Sequence, residues 1–310
     1  MWARLAKRAK QPGWLAVTAN ESQVDYVHSF PSERGGPTFG LAGSRSLGAG
    51  DTFERVAREL RFETFRCTTT LQPGEYQVLM IDGLNVPDEE LKGALRWRVK
   101  DMLDYPVENA TIDVLGIPAD EATQKLKGRA LFAVAARNEA IKSCMERFEQ
   151  ARVPLGVIDI AEAAQRNIAA LFETGNRAVA LLYLAKDWGL LTVNNKRELM
   201  MARRLEVGYT LLADGEASLE SPVERLALEL QRSFDHFERQ FSGLSIEKVL
   251  MAPMPVPGSV ASQLSASLGL PVLDLDLATV ATLQGDLATP EAQWRLFHLI
   301  GAALRDEKPL

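Results

Sequence analysis

The feature that most constrains this chain is a repeat in the order of its segments. From Trp14 the sequence reads WLAVTA, QVDYVHSF, a glycine-rich turn and PTFGLAGSRSL; from Arg177 it reads RAVALLYLA, WGLLTVNN and RELMMARRL. Each set is a run of short alternating or apolar segments broken by turn residues, the pattern of a three-stranded meander. A helix is predicted after each, over Thr52–Arg61 and over Val223–Phe241. Further on, Arg129–Ile160 and Ile246–Leu277 both read strand, helix, strand. In each the helix stops before a proline, Pro154 or Pro271, which cannot continue it. Another helix is predicted after each, Ala161–Glu173 and Pro290–Arg305. Meander, helix, strand, helix, strand, helix thus occurs twice, which predicts a duplicated α/β architecture with a seam near Gly175. The expected division is 1–175 and 176–310.

The first copy carries extra material, about 76–136, that the second lacks. It holds a strand, YQVLMID, then a predicted helix from Pro87 to Asp104, then a strand, ATIDVLGIP. Asp88, Glu89 and Glu90 crowd the start of that helix, where negative charge meets the positive dipole end. Leu91, Leu95, Val99, Met102 and Leu103 form its apolar stripe. The insertion therefore reads as a small subdomain of one helix on a sheet.

The second long helix has the cleanest periodicity in the chain. Val223, Leu226, Ala227, Leu230, Phe234, Phe237 and Phe241 recur every three or four residues, so they share one face. Glu229, Arg232, Asp235, His236, Glu238 and Arg239 occupy the rest, a surface for ligand contacts or for solvent.

Composition narrows the function. A net charge of -6 argues against a general nucleic-acid surface. Two cysteines, Cys67 and Cys144, form no CxxC pair, and three histidines show no metal-ligand spacing. The longest apolar run, Ala178–Ala185, is strand-sized, far short of the roughly 18 residues of a membrane span. The first ten residues, MWARLAKRAK, lack the apolar core of a signal peptide and read as a solvated terminus. The alternative is that Trp2 and Leu5, with the basic residues around them, touch an anionic membrane surface. No Gly-Lys pair supports a Walker A loop, and no GxSxG elbow occurs. SLGAGD at Ser46–Asp51 reads as a turn before a helix, Asp159 as a helix cap, and His236 as a helix-surface residue.

Several segments carry a resemblance: LRWRVKDMLDYPVENATIDV (Leu95–Val114), VIDIAEAAQRNIAALF (Val157–Phe172), RRLEVG (Arg203–Gly208), LALELQRSFDHFE (Leu226–Glu238) and LIGAALR (Leu299–Arg305). Together with their spacing they resemble the PilM/MshI family of pilus assembly proteins, most closely its mannose-sensitive haemagglutinin pilus (MSHA, MshI) branch. The resemblance implies a duplicated actin-like ATPase fold, ribonuclease H-like in each half, with a subdomain inserted as in the cell-division protein FtsA. It also implies a cytoplasmic protein peripheral to the inner membrane. Such a protein docks onto the cytoplasmic tail of a PilN-like membrane protein and joins other platform proteins, with self-association open and no nucleic acid.

The nucleotide elements that such a fold uses have departed from the expected pattern. The first phosphate hairpin should read Asp-Ile-Gly; here Ala16–Ser22 is AVTANES, leaving Asn20, Glu21 and Ser22 in the turn. The second places Leu184 near the expected acid, with Asp187 and Gly189 displaced. The adenosine motif should carry paired glycines; here Leu250–Gly258 contains Pro253 and Pro255, which remove backbone donors. The degenerate cleft would comprise Asn20, Glu21, Ser22, Asp187, Gly189, Glu229 and Arg232. The resulting expectation is a non-catalytic scaffold without cofactor, ATP and Mg being disfavoured. The alternatives are a PilM-like ATP-dependent switch or weak ATPase, and a small-molecule kinase on the same fold, for which no catalytic base is found. For the partner, Arg96, Trp97, Arg98 and Lys100 on the inserted helix are the expected anchors, because Arg and Trp recur at interface hot spots. The competing reading has Trp97 covering the sheet and the charges solvated.

Overall fold

The computed structural model describes residues 10–32, 35–48, 50–84, 86–118, 129–213, 221–255 and 260–306. Trp2, Leu5 and the basic residues before Lys10 lie outside them, as does Gly258 of the expected adenosine motif. Two compact units emerge. One gathers the described residues up to Thr70 with Cys144–Ala164 and those from Leu277 on; the other gathers Leu71–Ser143 with Gln165–Asp276. The repeat in chain order and the compact units in space are thus different divisions of the same chain.

The first unit is built on the first meander. Strands β1 (Trp14–Ala19), β2 (Gln23–Pro31) and β3 (Pro37–Ser46) pair antiparallel, each sequential neighbour beside the last. Helix α1 (Phe53–Glu59) follows, capped by Thr52, whose hydroxyl accepts the Arg55 amide at 3.2 Å. Strand β4 (Cys67–Thr70) then adds in parallel to β1. After the insertion, helix α3 (Asn138–Gln150) leads to β8 (Leu155–Asp159), parallel to β4. A short β14 (Thr282–Leu283) closes the other edge, parallel to β3, giving the order β14-β3-β2-β1-β4-β8. Leu15, Val17, Val24, Phe53, Phe62 and Phe148 form one contiguous core here.

The expected C-terminal helix is two, α8 (Pro290–Arg295) and α9 (Phe297–Ala303), broken at Leu296. Helix α9 lies against β1, β2 and β4 and buries Phe297 and Ile300 completely. Its Gly301 meets helix α4 (Ala161–Ala169) backbone to backbone: a Cβ there would stand 2.1 Å from the Ala164 carbonyl oxygen. Only glycine permits that crossing.

One strand assignment needs correction. The sequence pattern pairs Arg129–Arg137 with Ile246–Met251 as equivalent strands. In the structure Cys67–Thr70 takes that place, and Arg129–Arg137 (β7) belongs to the inserted sheet. CTTT carries no apolar run, yet Thr68 and Thr69 are 0% and 2% exposed because parallel neighbours flank them on both sides.

The second unit repeats the layout. Strands β9 (Ala178–Leu184), β10 (Gly189–Asn195) and β11 (Glu198–Leu205) make the meander. Strands β12 (Ile246–Met251) and β13 (Val272–Asp274) extend it in parallel, giving the order β11-β10-β9-β12-β13. That order matches β3-β2-β1-β4-β8 of the first sheet, so the duplication is real in three dimensions. Helix α7 (Val260–Leu268) connects β12 to β13, and a short α5 (Tyr209–Ala213), not expected from the sequence, precedes the long helix.

The long helix, α6 (Pro222–Gln240), opens with a Ser221–Glu224 capping box and Pro222 in its first turn. Its expected stripe holds: Leu226, Ala227, Leu230, Phe234 and Phe237 are buried, and Val223 and Phe241 pack at the edges of the core. Each large side chain so buried stabilises the fold by about 2 kcal/mol.

The insertion contains three strands rather than the expected two: β5 (Tyr76–Leu84), β6 (Ala110–Gly116) and the central β7, ordered β5-β7-β6 and antiparallel. Alternation along β7 explains its composition. Leu131 and Ala133 face helix α2 (Asp88–Val99) with its Leu91, Leu95 and Val99. Ala130 and Phe132 face the core that α6 covers. Helix α2 ends at Val99, short of the expected Asp104. Met102 therefore leaves the stripe and is 48% exposed.

Candidate functional site

The two hairpin turns of the expected degenerate cleft are each held by contacts from the chain itself. In the β1–β2 turn, Asn20 Oδ1 accepts the Ser22 amide (2.9 Å), the Ser22 hydroxyl (3.0 Å) and the Gln23 amide (2.8 Å). The Asn20 amide donates to the Gln23 carbonyl at 3.0 Å. This is an Asx-type turn, in which a side chain takes the backbone donors a phosphate would need. Glu21 is exposed at its tip.

The β9–β10 turn is strapped down by the segment after β11. The Tyr209 amide donates to the Ala185 carbonyl (2.9 Å) and the Thr210 amide to the Lys186 carbonyl (3.2 Å). The Thr210 hydroxyl also donates to Lys186 O at 2.7 Å and stands 3.3 Å from Asp187 Oδ1. Gly208 lies flat on this turn: a Cβ there would be 2.1 Å from Lys186 O and 2.5 Å from the Asp187 amide nitrogen. Gly189 is likewise enclosed, between Leu184 and the Val207 carbonyl. On the adenosine loop, Met254 packs onto the core of the second unit.

Glu229 and Arg232 come together on α6, but as an internal network. Arg203 NH2 pairs with Glu229 at 2.8 Å, its NH1 donates to the Ser233 hydroxyl at 3.1 Å, and Arg232 lies 3.5 Å from Glu229. Ser233 returns its own hydroxyl proton to the Glu229 carbonyl at 2.6 Å. Arg203 and Ser233 were not among the expected site residues; both stand inside the quoted RRLEVG and LALELQRSFDHFE segments. Asp187 and Gly189 sit in a different turn of the same unit, and Asn20, Glu21 and Ser22 in the other unit. Asp159 accepts the Ile160 amide at 2.9 Å and is clasped by Arg305, whose side chain is 11% exposed. Among the described residues, no group of three His, Cys, Asp or Glu side chains is arranged to hold a metal ion. Likewise no described helix is long and apolar enough to cross a membrane.

The inserted helix offers a different arrangement. Arg96, Trp97 and Lys100 line a cavity of about 410 Å³ together with Val107 and Glu108. Arg96 donates to the Val107 carbonyl (3.3 Å) and the Ala110 carbonyl (3.0 Å), which fixes the 107–110 segment against the helix. Trp97 is 79% exposed, so it does not cover the sheet. The Lys100 ammonium stands 5.8 Å from its ring centroid, a weak cation–π approach. Arg98 points elsewhere, to the Asp82 carbonyl at 3.1 Å, and takes no part in the cavity.

A five-strand order shared by the six-stranded and the five-stranded sheet, with an inserted helix-on-sheet subdomain, defines the class: this is a duplicated actin-like fold. Comparison with solved structures gives the same answer. The chain is similar to one in the "PilM-PilN type IV pilus biogenesis complex", with a TM-score of 0.70 and 19% identity, covering 96% of this chain and 99% of that one. More distant are the cytoplasmic domain of EpsL, an inner-membrane component of the type II secretion system of Vibrio cholerae (TM-score 0.46, 12% identity, 92% and 94% covered), and the ethanolamine utilization protein EutJ of Carboxydothermus hydrogenoformans (0.43, 10%, 95% and 90%). No protein-family model matches the chain, and no curated protein does.

Proposed function

We propose that this protein is a non-catalytic, PilM-like scaffold of a bacterial pilus or secretion assembly platform, of the MSHA type. It acts in the cytoplasm at the inner membrane and docks the cytoplasmic tail of a PilN-like membrane protein. The observation that carries this reading is the likeness to a chain of a PilM–PilN type IV pilus biogenesis complex along almost the full length of both chains. The closed turns support the non-catalytic part. Backbone donors that would grip phosphate are taken by Asn20 at one turn, and the other is covered by the 208–210 segment. Docking is assigned to the Trp97 surface of α2, where an exposed aromatic adjoins Arg96 and Lys100.

Two measurements test it. The full chain should co-purify with the tail peptide of a PilN-like protein from the same genome, and Trp97→Ala should abolish the capture; wild-type-like capture by the variant removes α2 from the interface. Calorimetry with MgATP should show no binding at micromolar nucleotide. A micromolar affinity would replace the scaffold by the ATP-dependent switch.

A further inference from the structure

We infer that the cavity beside Trp97 recognises an acidic segment of a partner polypeptide, with an apolar side chain on the indole and a carboxylate on Lys100. The inference rests on the docking role given to α2 and adds the chemistry of the occupant.

The cavity has three walls of different character. Val107, 8% exposed, is its apolar floor, and the Trp97 ring is an uncovered apolar side. The cationic side is Arg96 and Lys100, and Glu108 is the single carboxylate of the lining among the described residues. The two cations are not equivalent. Arg96 Nη2 donates to both the Val107 and the Ala110 carbonyls, so its guanidinium is fixed against the floor, whereas the Lys100 ammonium stands beside the indole. Lys100 has no carboxylate within ion-pair distance among the described residues, whereas Arg137 and Lys92 of the same unit are paired with Asp104 and Asp113.

Charge complementarity decides the occupant. The lining carries two positive charges against one negative, so a carboxylate entering at Lys100 is attracted and a cation is opposed. The volume, about 410 Å³, is that of a small-ligand site and accepts one or two side chains rather than a folded surface. An anionic membrane surface is the less suitable occupant, because a concave site of this size takes a side chain and not a flat array of headgroups, and exposed Glu108 would face that array.

The test uses the full-length protein with isotope-labelled tryptophan, the Trp97 indole N–H resonance being assigned by Trp97→Phe. Two blocked peptides are titrated, acetyl-Asp-Glu-Leu-Phe-Leu-amide and its Lys-Lys counterpart, alongside phosphatidylglycerol vesicles and the tail peptide of the PilN-like protein. The acidic peptide should shift the Trp97 signal saturably and bind about tenfold more tightly than the basic one. Lys100→Glu should reverse that order, and Glu108→Gln should tighten the acidic peptide. Preference for the basic peptide, absence of any Trp97 shift, or a shift with vesicles alone overturns the inference. Tail binding that leaves the Trp97 signal unmoved also overturns it, while sparing the platform reading. Absence of tail binding together with a response to the acidic peptide does the reverse.

Discussion

The β1–β2 and β9–β10 turns occupy the same place in the two copies of the repeat, yet they are closed by different means. The first is closed from within, by one side chain, Asn20, that gathers two amides and a hydroxyl. The second is closed from outside, by the 208–210 backbone seated on Lys186 and Asp187 through Gly208. The same position in the repeat is thus satisfied by a side chain in one copy and by backbone in the other. The two closures also differ in stiffness: a side-chain acceptor can rotate away, whereas a backbone strap cannot.

That contrast can be broken experimentally, beginning with its strongest element. Gly208→Val should destabilise the protein by about 3 kcal/mol, since a side chain at that position collides with backbone and not with a flexible neighbour. Thermal unfolding reads the loss, and a shift below a quarter of that value would show the strap to be pliable. Asn20→Ala should cost about 1 kcal/mol, with faster hydrogen exchange confined to the Ser22 and Gln23 amides. If MgATP then binds the Asn20→Ala protein, side-chain closure alone had been excluding phosphate.

A smaller effect separates the units by pH. Burial pushes the His28 imidazole below its ordinary 6.5, partly offset by its hydrogen bond to the Pro12 carbonyl at 2.9 Å. A histidine held neutral in the fold contributes stability above the unfolded value. That stability is lost as the pH falls below about 6.5, because the unfolded chain then binds the extra proton. His298 of the same unit, which burial pushes down to about 4, acts in the same sense. Exchange protection in the first sheet should therefore decline between pH 7 and 5 before that of the second, and His28→Phe should reduce the difference without removing it. Glu229→Gln should cost under about 1 kcal/mol by chemical denaturation, its Arg203 and Arg232 partners being 40% and 61% exposed. Trp97→Ala should leave stability within about 0.5 kcal/mol while removing partner capture, because the ring is 79% exposed.

The sequence disclosed elements whose burial writes a period into the chain. The α6 stripe from Val223 to Phe241 is legible because one helix face meets one core. The meanders are legible because turn residues separate their strands. Cys67–Thr70 was not, since burial by parallel neighbours demands no apolar pattern of a four-residue strand. Arg129–Arg137 reads correctly as a strand, but nothing local says which sheet receives it. At the site, Trp97 and Lys100 are one turn apart and Arg98 is not on their side, a distinction helical geometry contains. The pairing of Glu229 with Arg203 depends instead on how β11 lies against α6, which no local spacing encodes.

The return of residues after Leu277 to the first sheet has a consequence for biosynthesis. Strand β14 caps β3, and α9 lies on β1, β2 and β4, so the sheet begun at Trp14 is finished by residues synthesised long after it. At typical synthesis rates the interval is on the order of ten seconds to a minute. Throughout it the edge of β3 and the apolar surface awaiting Phe297 and Ile300 stand uncovered on the nascent chain, while the second unit, whose residues end at Asp276, can already be complete. Released chains truncated before Leu277 should therefore hold a protease-resistant second unit and a protease-sensitive first one.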